Sequence, residues 1–255
     1  MPIDDALAQL SPGIKYEQNL SIMDAPSDEF FYKFPIYYVN QNLSLDYINL
    51  LKNSGYAPEI DKASGLMISK KMLSVNADVR LSALYNSFDF KVSNKDYLVK
   101  INQTDGRKLV ESLGYKLPTA AIMYKLFIPY LKNMVELSKE AKATLEEMST
   151  KIEWLDDEII DQEIIKIGDI ETKLNILKQV GSFNKADLND FGYPNVVKED
   201  LDQGEYNYWP PKGNKNAVIR NQSSSFSLDC NWKAHDSDSV LGVRLVKFYS
   251  RMKKS

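Results

Sequence analysis

The sequence has 255 residues, of which 44% are hydrophobic and 26% are charged. A chain with this length and composition can bury a hydrophobic core, either as one large domain or as a domain with an extension. The net charge is -3 and the pI is about 5.4, so we expect no nucleic acid partner. No apolar stretch is long enough to span a membrane, and the N-terminal residues MPIDDALAQL lack the pattern of a signal peptide. The single cysteine excludes an internal disulfide.

The N-terminal part of the chain is predicted to mix helix and strand. The aromatic and β-branched run at 30–39 predicts one strand, and Pro35 indicates that this strand lies at a sheet edge. Ser44 is a suitable N-cap for a helix that ends at Gly55. Two further segments are predicted to be extended, GLMISKKML at 65–73 and DYLVKIN at 96–102.

Two helices are predicted in the middle of the chain. The first is capped by Thr104 or Asp105 and ends at Gly114. Thr119 caps the second helix, which Pro129 either kinks or restarts. Beyond this proline, apolar residues keep helical spacing at Leu131, Met134, Leu137, Ala141, Leu145, Met148 and Ile152.

The chain becomes acidic after Trp154, and the alternation of Ile165 with Ile167 indicates a strand or an irregular crossover. Its carboxylates could offer oxygen ligands to calcium, but they lack the spacing of a calcium loop, so we interpret them as a solvated acidic face. These residues are Asp156, Asp157, Glu158, Asp161 and Glu163.

The C-terminal third is predicted to consist mainly of turns and loops. Only NAVI at 216–219 and VLGVRLVKFY at 240–249 are predicted to be strands.

One motif points to a known family. GYKLPTAA at 114–121 resembles the G-Y-R-L-P-T-E-A-E-W signature of formylglycine-generating-enzyme-like domains. The match is partial, because four positions depart from the signature: Lys116, Ala120, Ile122 and Met123. The order of elements agrees with the motif, since Pro118 cannot continue the first helix and Thr119 can begin the second.

Three later pieces follow in the order that the family shows. Glu153 and Trp154 look like its E-W pair. VIRNQSSSF at 218–226 stands where the family has V-x-R-G-G-S-W. Gly242 and Arg244 match its closing G-F-R-V-V strand, with Val243 in place of the aromatic residue.

The resemblance implies an α+β protein with the C-type-lectin-like fold of the formylglycine-generating type, in which two helices pack on a small mixed or antiparallel sheet with long loops. It assigns 96–255 to this domain, with a helical insert near 130–151. Residues 1–95 are then a mixed α/β part that packs into the same domain. The catalytic members of the family depend on a pair of cysteines, and Cys230 has no second cysteine here. We therefore expect neither an enzyme nor a bound cofactor or metal.

The same fold is used by the variable proteins of diversity-generating retroelements, in which a reverse transcriptase randomises adenines in a C-terminal region. The resemblance places this variable region at 207–245. Randomised AAC or AAT codons yield Asn, Ser, Asp, His and Cys, but never Glu, Gln, Met, Lys or Trp. Residues 214–239 hold the only Cys and the only His of the chain, with six Ser, four Asn, three Asp and no Glu. The exceptions are Lys215, Gln222, Trp232 and Lys233. An ordinary polar loop has a similar composition.

We therefore expect a binding protein that recognises a protein or surface ligand through this segment, on a virion tail or surface or otherwise on a cell surface reached by a non-standard route. The alternatives are a formylglycine-generating-enzyme-like enzyme with altered chemistry and a structural virion protein. An enzyme would have His235 as its base and Cys230 or a nearby Ser as its nucleophile.

The residues expected to face the ligand are Asn214, Asn216, Arg220, Asn221, Ser223, Ser225, Phe226, Ser227, Asp229, Cys230, Asn231, Trp232, His235, Asp236 and Asp238. Val218 and Ile219 are expected to belong to the scaffold, and Tyr206, Tyr208 and Trp209 to the core or its rim.

Overall fold

The computed structural model describes residues 28–56, 64–72, 102–222, 225–236 and 241–250. The helices are α1 (Ile36–Asn42), α2 (Leu45–Asn53), α3 (Gln103–Ser112), α4 (Ile128–Met134) and α5 (Lys139–Thr150). The strands are β1 (Phe31–Pro35), β2 (Ser64–Ser69), β3 (Ile152–Ile160), β4 (Ile164–Ile167), β5 (Ile170–Lys173), β6 (Gly181–Phe183), β7 (Tyr206–Trp209), β8 (Lys215–Gln222), β9 (Ser225–Trp232), β10 (Leu241–Gly242) and β11 (Val246–Ser250). No helix in these ranges is long and apolar enough to cross a membrane.

The strands form two sheets. The smaller sheet has the order β1-β2-β11 with antiparallel pairing, so the N-terminal part shares a sheet with the last described strand. The larger sheet has the order β5-β4-β3-β8-β9-β7-β6, and β10 pairs with β3. Its pairs are antiparallel except β7 with β9 and β10 with β3. The chain is therefore an α+β protein with a mostly antiparallel sheet, as the sequence predicts at this level.

The hydrophobic side chains form two clusters on opposite faces of the larger sheet. The main core joins α1, α2, α4 and α5 to inward residues of the sheet such as Leu155, Ile219 and Leu228. The second cluster lies on the other face, where Val110 of α3 and Val243 pack on Trp154. Helices thus cover the inner face of the sheet. The second cluster covers the outer face only over β3 and β8.

The sequence locates several helix ends. Ser44 caps α2, because its Oγ accepts a hydrogen bond from the backbone N–H of Tyr47 at 3.2 Å. Gly55 follows α2 with a positive φ of 82°, which favours glycine. Thr119 also acts as a cap, with its Oγ1 3.3 Å from the backbone N of Ile122. α3, however, begins at Gln103, so neither Thr104 nor Asp105 is its N-cap.

Pro129 neither ends nor breaks the helix around it. The preceding residues Ile122–Phe127 form a π-helix that runs directly into α4. Proline has no N–H to donate to the carbonyl four residues earlier, and a wider turn before it accommodates this loss. All residues of the π-helix except Lys125 are buried, so packing holds this less common geometry in place.

Two sequence predictions for secondary structure are wrong in part. The strand predicted at 30–39 ends at Pro35, and the second half of the run is α1, whose Ile36 and Val39 are buried three residues apart. The helix predicted beyond Pro129 is interrupted: α4 ends at Met134, Leu137 is 79% exposed, and Ser138 caps α5. Ile152 belongs to β3. The predicted strand at 65–73 corresponds to β2, whereas 96–101 lies outside the described residues.

The C-terminal third contains more strand than its composition indicates. Strands β6, β7 and β9 lie in stretches that the sequence predicts as turn or loop. Asn, Asp and Ser have low β propensity. β9 is nevertheless a strand, because β8 on one side and β7 on the other supply its backbone hydrogen bonds.

A buried ion pair joins the two sheets. Arg244 is fully buried, and its Nε and Nη2 lie 3.0 and 2.5 Å from the two carboxylate oxygens of Glu153 on β3. Its Nη1 donates to the carbonyls of Ser69 and Lys70, at the end of β2, over 2.7 and 2.9 Å. The Glu147 carboxylate lies 3.5 Å from Nη2. Every side of the guanidinium therefore meets an acceptor, which is the condition for burying a charge.

Loss of one partner of this pair leaves the other charge buried without compensation. We expect Arg244→Met and Glu153→Gln each to lower the free energy of unfolding by about 3–5 kcal/mol, measured by urea denaturation. The matched control is Glu111→Gln, because Glu111 pairs with Lys116 but is 41% exposed. That change should cost no more than about 1 kcal/mol. Equal losses in the three variants would contradict the assigned role of the buried pair.

Candidate ligand-binding surface

The segment expected to bind a ligand is a β-hairpin rather than a polar loop. Strands β8 and β9 are antiparallel neighbours in the middle of the larger sheet, between β3 and β7. Because side chains alternate along a strand, half of the segment faces the main core. The inward residues are Ala217, Ile219, Phe226, Leu228 and Cys230. The scaffold role predicted for Val218 and Ile219 is confirmed, since both are buried.

Burial divides the residues that were expected to face the ligand. Five of them are buried: Asn216, Phe226, Ser227, Asp229 and Cys230. Eight are half-buried or exposed: Asn214, Arg220, Asn221, Ser225, Asn231, Trp232, His235 and Asp236. Ser223 and Asp238 lie outside the described residues. The expectation of ligand contact is corrected for Phe226 and Cys230, which pack in the main core.

Cys230 and His235 are not brought together. The cysteine is 0% exposed and lies in the main core, whereas His235 follows β9 and is exposed. Burial raises the pKa of the Cys230 thiol well above its usual value, so the thiol remains protonated and a poor nucleophile. Cys230 therefore does not fit the role of nucleophile in the alternative enzyme.

Polar and aromatic residues gather on the outer face of β7, β8 and β9. Tyr206 and Tyr208 point into the main core, so Asn207 and Trp209 lie on the other side of β7. The backbone register places Asn207 beside Ser227 and Trp209 beside Asp229. Arg220 of β8 pairs with Ser227 from the other side. We name the surface formed by Trp209, Arg220, Asp229 and Trp232 the outer-face patch.

Asp229 is the central residue of the outer-face patch. Its Oδ1 accepts a hydrogen bond from the backbone N–H of Asn231 at 3.1 Å, and its Oδ2 accepts one from the indole N–H of Trp232 at 3.2 Å. The same Oδ2 lies 3.0 Å from Nε of Arg220. The Trp232 ring packs edge-on against the buried Trp154, with centroids 6.0 Å apart. A carboxylate from β9 thus sets the positions of one indole and one guanidinium.

Four buried polar atoms at this surface have no hydrogen-bond partner: Oδ1 of Asn207, Nε1 of Trp209, Nε of Arg220 and Oγ of Ser227. Nε of Arg220 is close enough to Asp229 for an ion pair, but the direction of its N–H does not make a hydrogen bond. Native proteins satisfy most buried polar groups, so a group of unsatisfied atoms marks a place where water or a ligand binds.

The acidic stretch on β3 is buried at its start and is not the solvated face that its composition predicts. Asp156 accepts hydrogen bonds from Nε of Arg107 at 2.7 Å and from the hydroxyl of Tyr56 at 2.9 Å. Asp157 accepts one from the backbone N–H of Ala120 at 2.8 Å. Among the residues that the structure describes, no three or more His, Cys, Asp or Glu side chains group as they would around a metal ion.

Asp157 is the unusual member of this pair. Its Oδ1 makes no hydrogen bond of ordinary geometry. The nearby hydroxyl of Tyr193 still interacts with the carboxylate and acts to lower its pKa, but by less than burial raises it. Burial, with a smaller contribution from the charge of Asp156, raises the pKa of Asp157 to about 7. The folded protein therefore keeps this carboxyl protonated over a pH range in which the unfolded chain would lose the proton.

Comparison of the chain with protein-family models, with curated proteins and with solved structures finds no match.

Asn207 and Trp209 were not among the residues expected to face the ligand, and Trp209 was expected in the core or its rim. The alternation in Tyr206–Trp209, with two tyrosines and an intervening asparagine, was a signal for a half-buried strand. The parallel pairing of β7 with β9 joins residues about 20 positions apart, so the local sequence does not predict it.

The two faces of β9 predict different responses to the same new side chain. We expect Cys230→Ser to lower the free energy of unfolding by about 1–3 kcal/mol, because it places a hydroxyl in the apolar core. Asn231→Ser, at the adjacent exposed position, should change it by no more than about 0.5 kcal/mol. Thermal and urea denaturation of both variants test this. A larger loss in the second variant would mean that the assigned faces are reversed.

The raised pKa of Asp157 predicts a pH-dependent stability. Since the folded state binds this proton more tightly, its contribution is complete below the usual pKa of 3.8 and is lost as the pH rises to about 7. Asp157→Asn keeps an acceptor for Ala120 and removes the charge, so the variant should gain stability over the native protein as the pH rises through this range.

Urea denaturation across the pH range gives the measurement, and Asp169→Asn at an exposed turn is the matched control. The control should leave the pH profile of unfolding unchanged. A native profile that does not change on Asp157→Asn would show that this carboxyl is ionised in the folded state.

Proposed function

We propose that the protein is a ligand-binding protein with a C-type-lectin-like fold, similar to retroelement-diversified variable proteins, which recognises a protein or surface ligand through the outer-face patch and the exposed residues around it. The observation that carries the proposal is the position of 214–239. Its restricted composition falls on two central strands whose core-facing side chains include Ala217, Ile219 and Leu228 and whose outward side chains, apart from the buried Val218, are polar or aromatic. This arrangement lets outward residues change while the core stays constant.

The residues that resemble the family come together in space, which supports the same proposal. Glu153 and Arg244 form the buried ion pair, and Gly242 of β10 lies beside Glu153 in parallel register. At the start of the second helix, the carbonyl of Pro118 accepts a hydrogen bond from the backbone N–H of Asp156 at 2.8 Å. Motifs far apart in the sequence therefore meet around β3.

The composition of the patch favours binding. Trp209 and Trp232 offer large rigid surfaces with few rotatable bonds, and Asn231 and Ser225 are short hydrogen-bonding residues on the same hairpin. Aromatic residues and arginine supply most of the energy at protein interfaces, whereas small polar side chains adapt to the partner.

The diversification proposal predicts a pattern in the surrounding DNA. A near-copy of the 3′ end of the gene should lie close by and differ from it mainly where the copy has adenine. The differences should concentrate in codons for outward residues such as Arg220, Asn231 and His235, and should spare those for the buried Ala217 and Leu228.

Sequencing the flanking DNA and comparing related strains measures this. Absence of a near-copy, or differences spread equally over inward and outward codons, would refute diversification by a retroelement. Binding through a fixed surface would then be the remaining form of the proposal.

A further inference from the structure

Arg220 presents the most accessible charge of the outer-face patch. Its side chain is 29% exposed, whereas that of Asp229 is 8% exposed. The guanidinium carbon lies 5.6 Å from the centre of the Trp209 ring, and Nε lies 3.0 Å from the Asp229 carboxylate. Two neighbours therefore fix the guanidinium before a ligand arrives, which reduces the entropy lost on binding.

Asp229 positions Arg220 without satisfying it. Both carboxylate oxygens already accept hydrogen bonds, one from the backbone of Asn231 and one from the indole of Trp232. Nε of Arg220 has no hydrogen-bond partner although it is close to Asp229. The contact between the two residues is thus electrostatic, and Asp229 holds the buried Nε side of the guanidinium in place.

The side chains that carry the unmet donors are more exposed than those that carry the unmet acceptors, although all four atoms are buried. Arg220 and Trp209 are half-buried, and each has an N–H without an acceptor. The oxygens of Asn207 and Ser227 also lack donors, but these residues are only 5% and 0% exposed. A group that approaches from solvent therefore meets the exposed part of Arg220 before the other three side chains, and its positive charge favours an anionic acceptor.

We propose that the outer-face patch binds a carboxylate of an acidic polypeptide, an Asp or Glu side chain that docks on Arg220 beside Trp209. The inference rests on the proposed ligand-binding function and adds the chemistry of the ligand. A planar guanidinium forms two parallel hydrogen bonds with a carboxylate, which a lysine ammonium cannot do. Trp209, and Trp232 on the other side of Asp229, supply apolar walls that keep water from these bonds.

Selection of peptides by the folded full chain tests the proposal without knowledge of the natural ligand. A phage-displayed library of short random peptides is selected against the native protein, against Arg220→Gln and against Lys233→Gln. The last variant is the matched control, because Lys233 is an exposed cation just after β9 and its loss changes the net charge equally. Circular dichroism verifies that each variant is folded.

The expected result is enrichment of Asp or Glu at one peptide position by the native protein and by Lys233→Gln, and no such enrichment by Arg220→Gln. A synthetic copy of a selected peptide with the acid replaced by its amide should bind the native protein about tenfold to hundredfold more weakly. Arg220→Lys should recover only part of the affinity, since it keeps the charge and loses the paired hydrogen bonds. Fluorescence anisotropy measures these affinities.

Two contrary results have different meanings. If the selected peptides lose affinity on Trp232→Ala but bind equally well as acid and amide, the surface binds ligands and the carboxylate inference is wrong. If the native protein selects no peptide whose binding depends on Arg220 or Trp232, the unsatisfied atoms hold water only, and the proposed ligand-binding function fails at this surface together with the inference.

Discussion

The fold depends on the burial of Arg244 against Glu153, two residues 91 positions apart in the sequence. A charged guanidinium can be buried only when acceptors surround it, and here they come from β3, from α5 and from the carbonyls at the end of β2. Beside the pair, the backbone N–H of Ser69 donates to the carbonyl of Leu245, and the N–H of Leu245 donates to Oγ of Ser69. The smaller sheet, the larger sheet and α5 must therefore be in their places at the same time, which fixes how the two sheets meet.

Once β3 is fixed, the layers on either side of the larger sheet follow. The helices cover the inner face, while α3 and the residues around Val243 cover the outer face near Trp154. This outer cover lies on β3 and β8, and the polar side chains lie beyond it toward β9 and β7. Trp232 stands at the border, with one edge against the buried Trp154 and its indole N–H on Asp229. The candidate surface is thus a continuation of the second hydrophobic cluster into a polar region, which is an arrangement suited to binding.

The hairpin of β8 and β9 gives a physical limit to variation in this protein. A change at Asn231 meets solvent, whereas a change at Cys230 or Leu228 meets packed side chains. Substitutions along this segment preserve the fold when they fall on outward positions. Substitutions at core-facing positions destabilise it, so such variants would not stay folded. The buried polar residues Ser227 and Asp229 are an intermediate case, because they lie on the outer face under Arg220 and Trp209.

Local sequence signals determined several elements by themselves. Ser44 and Gly55 set the ends of α2, Thr119 set the start of the second helix, and the apolar pair Val218 and Ile219 marked the scaffold. Each of these signals acts through residues a few positions apart, so no tertiary contact is needed to read it. The strand β9 and the helix α1 could not be read in this way. SFSLDCNW is poor in β-forming residues and IYYVNQN is rich in them, and in each case packing against distant parts of the chain overrode the local preference. Only the tertiary structure therefore decided which residues of 214–239 face outward and which neighbours Asp229 brings together, because strand pairing joins positions that the sequence separates.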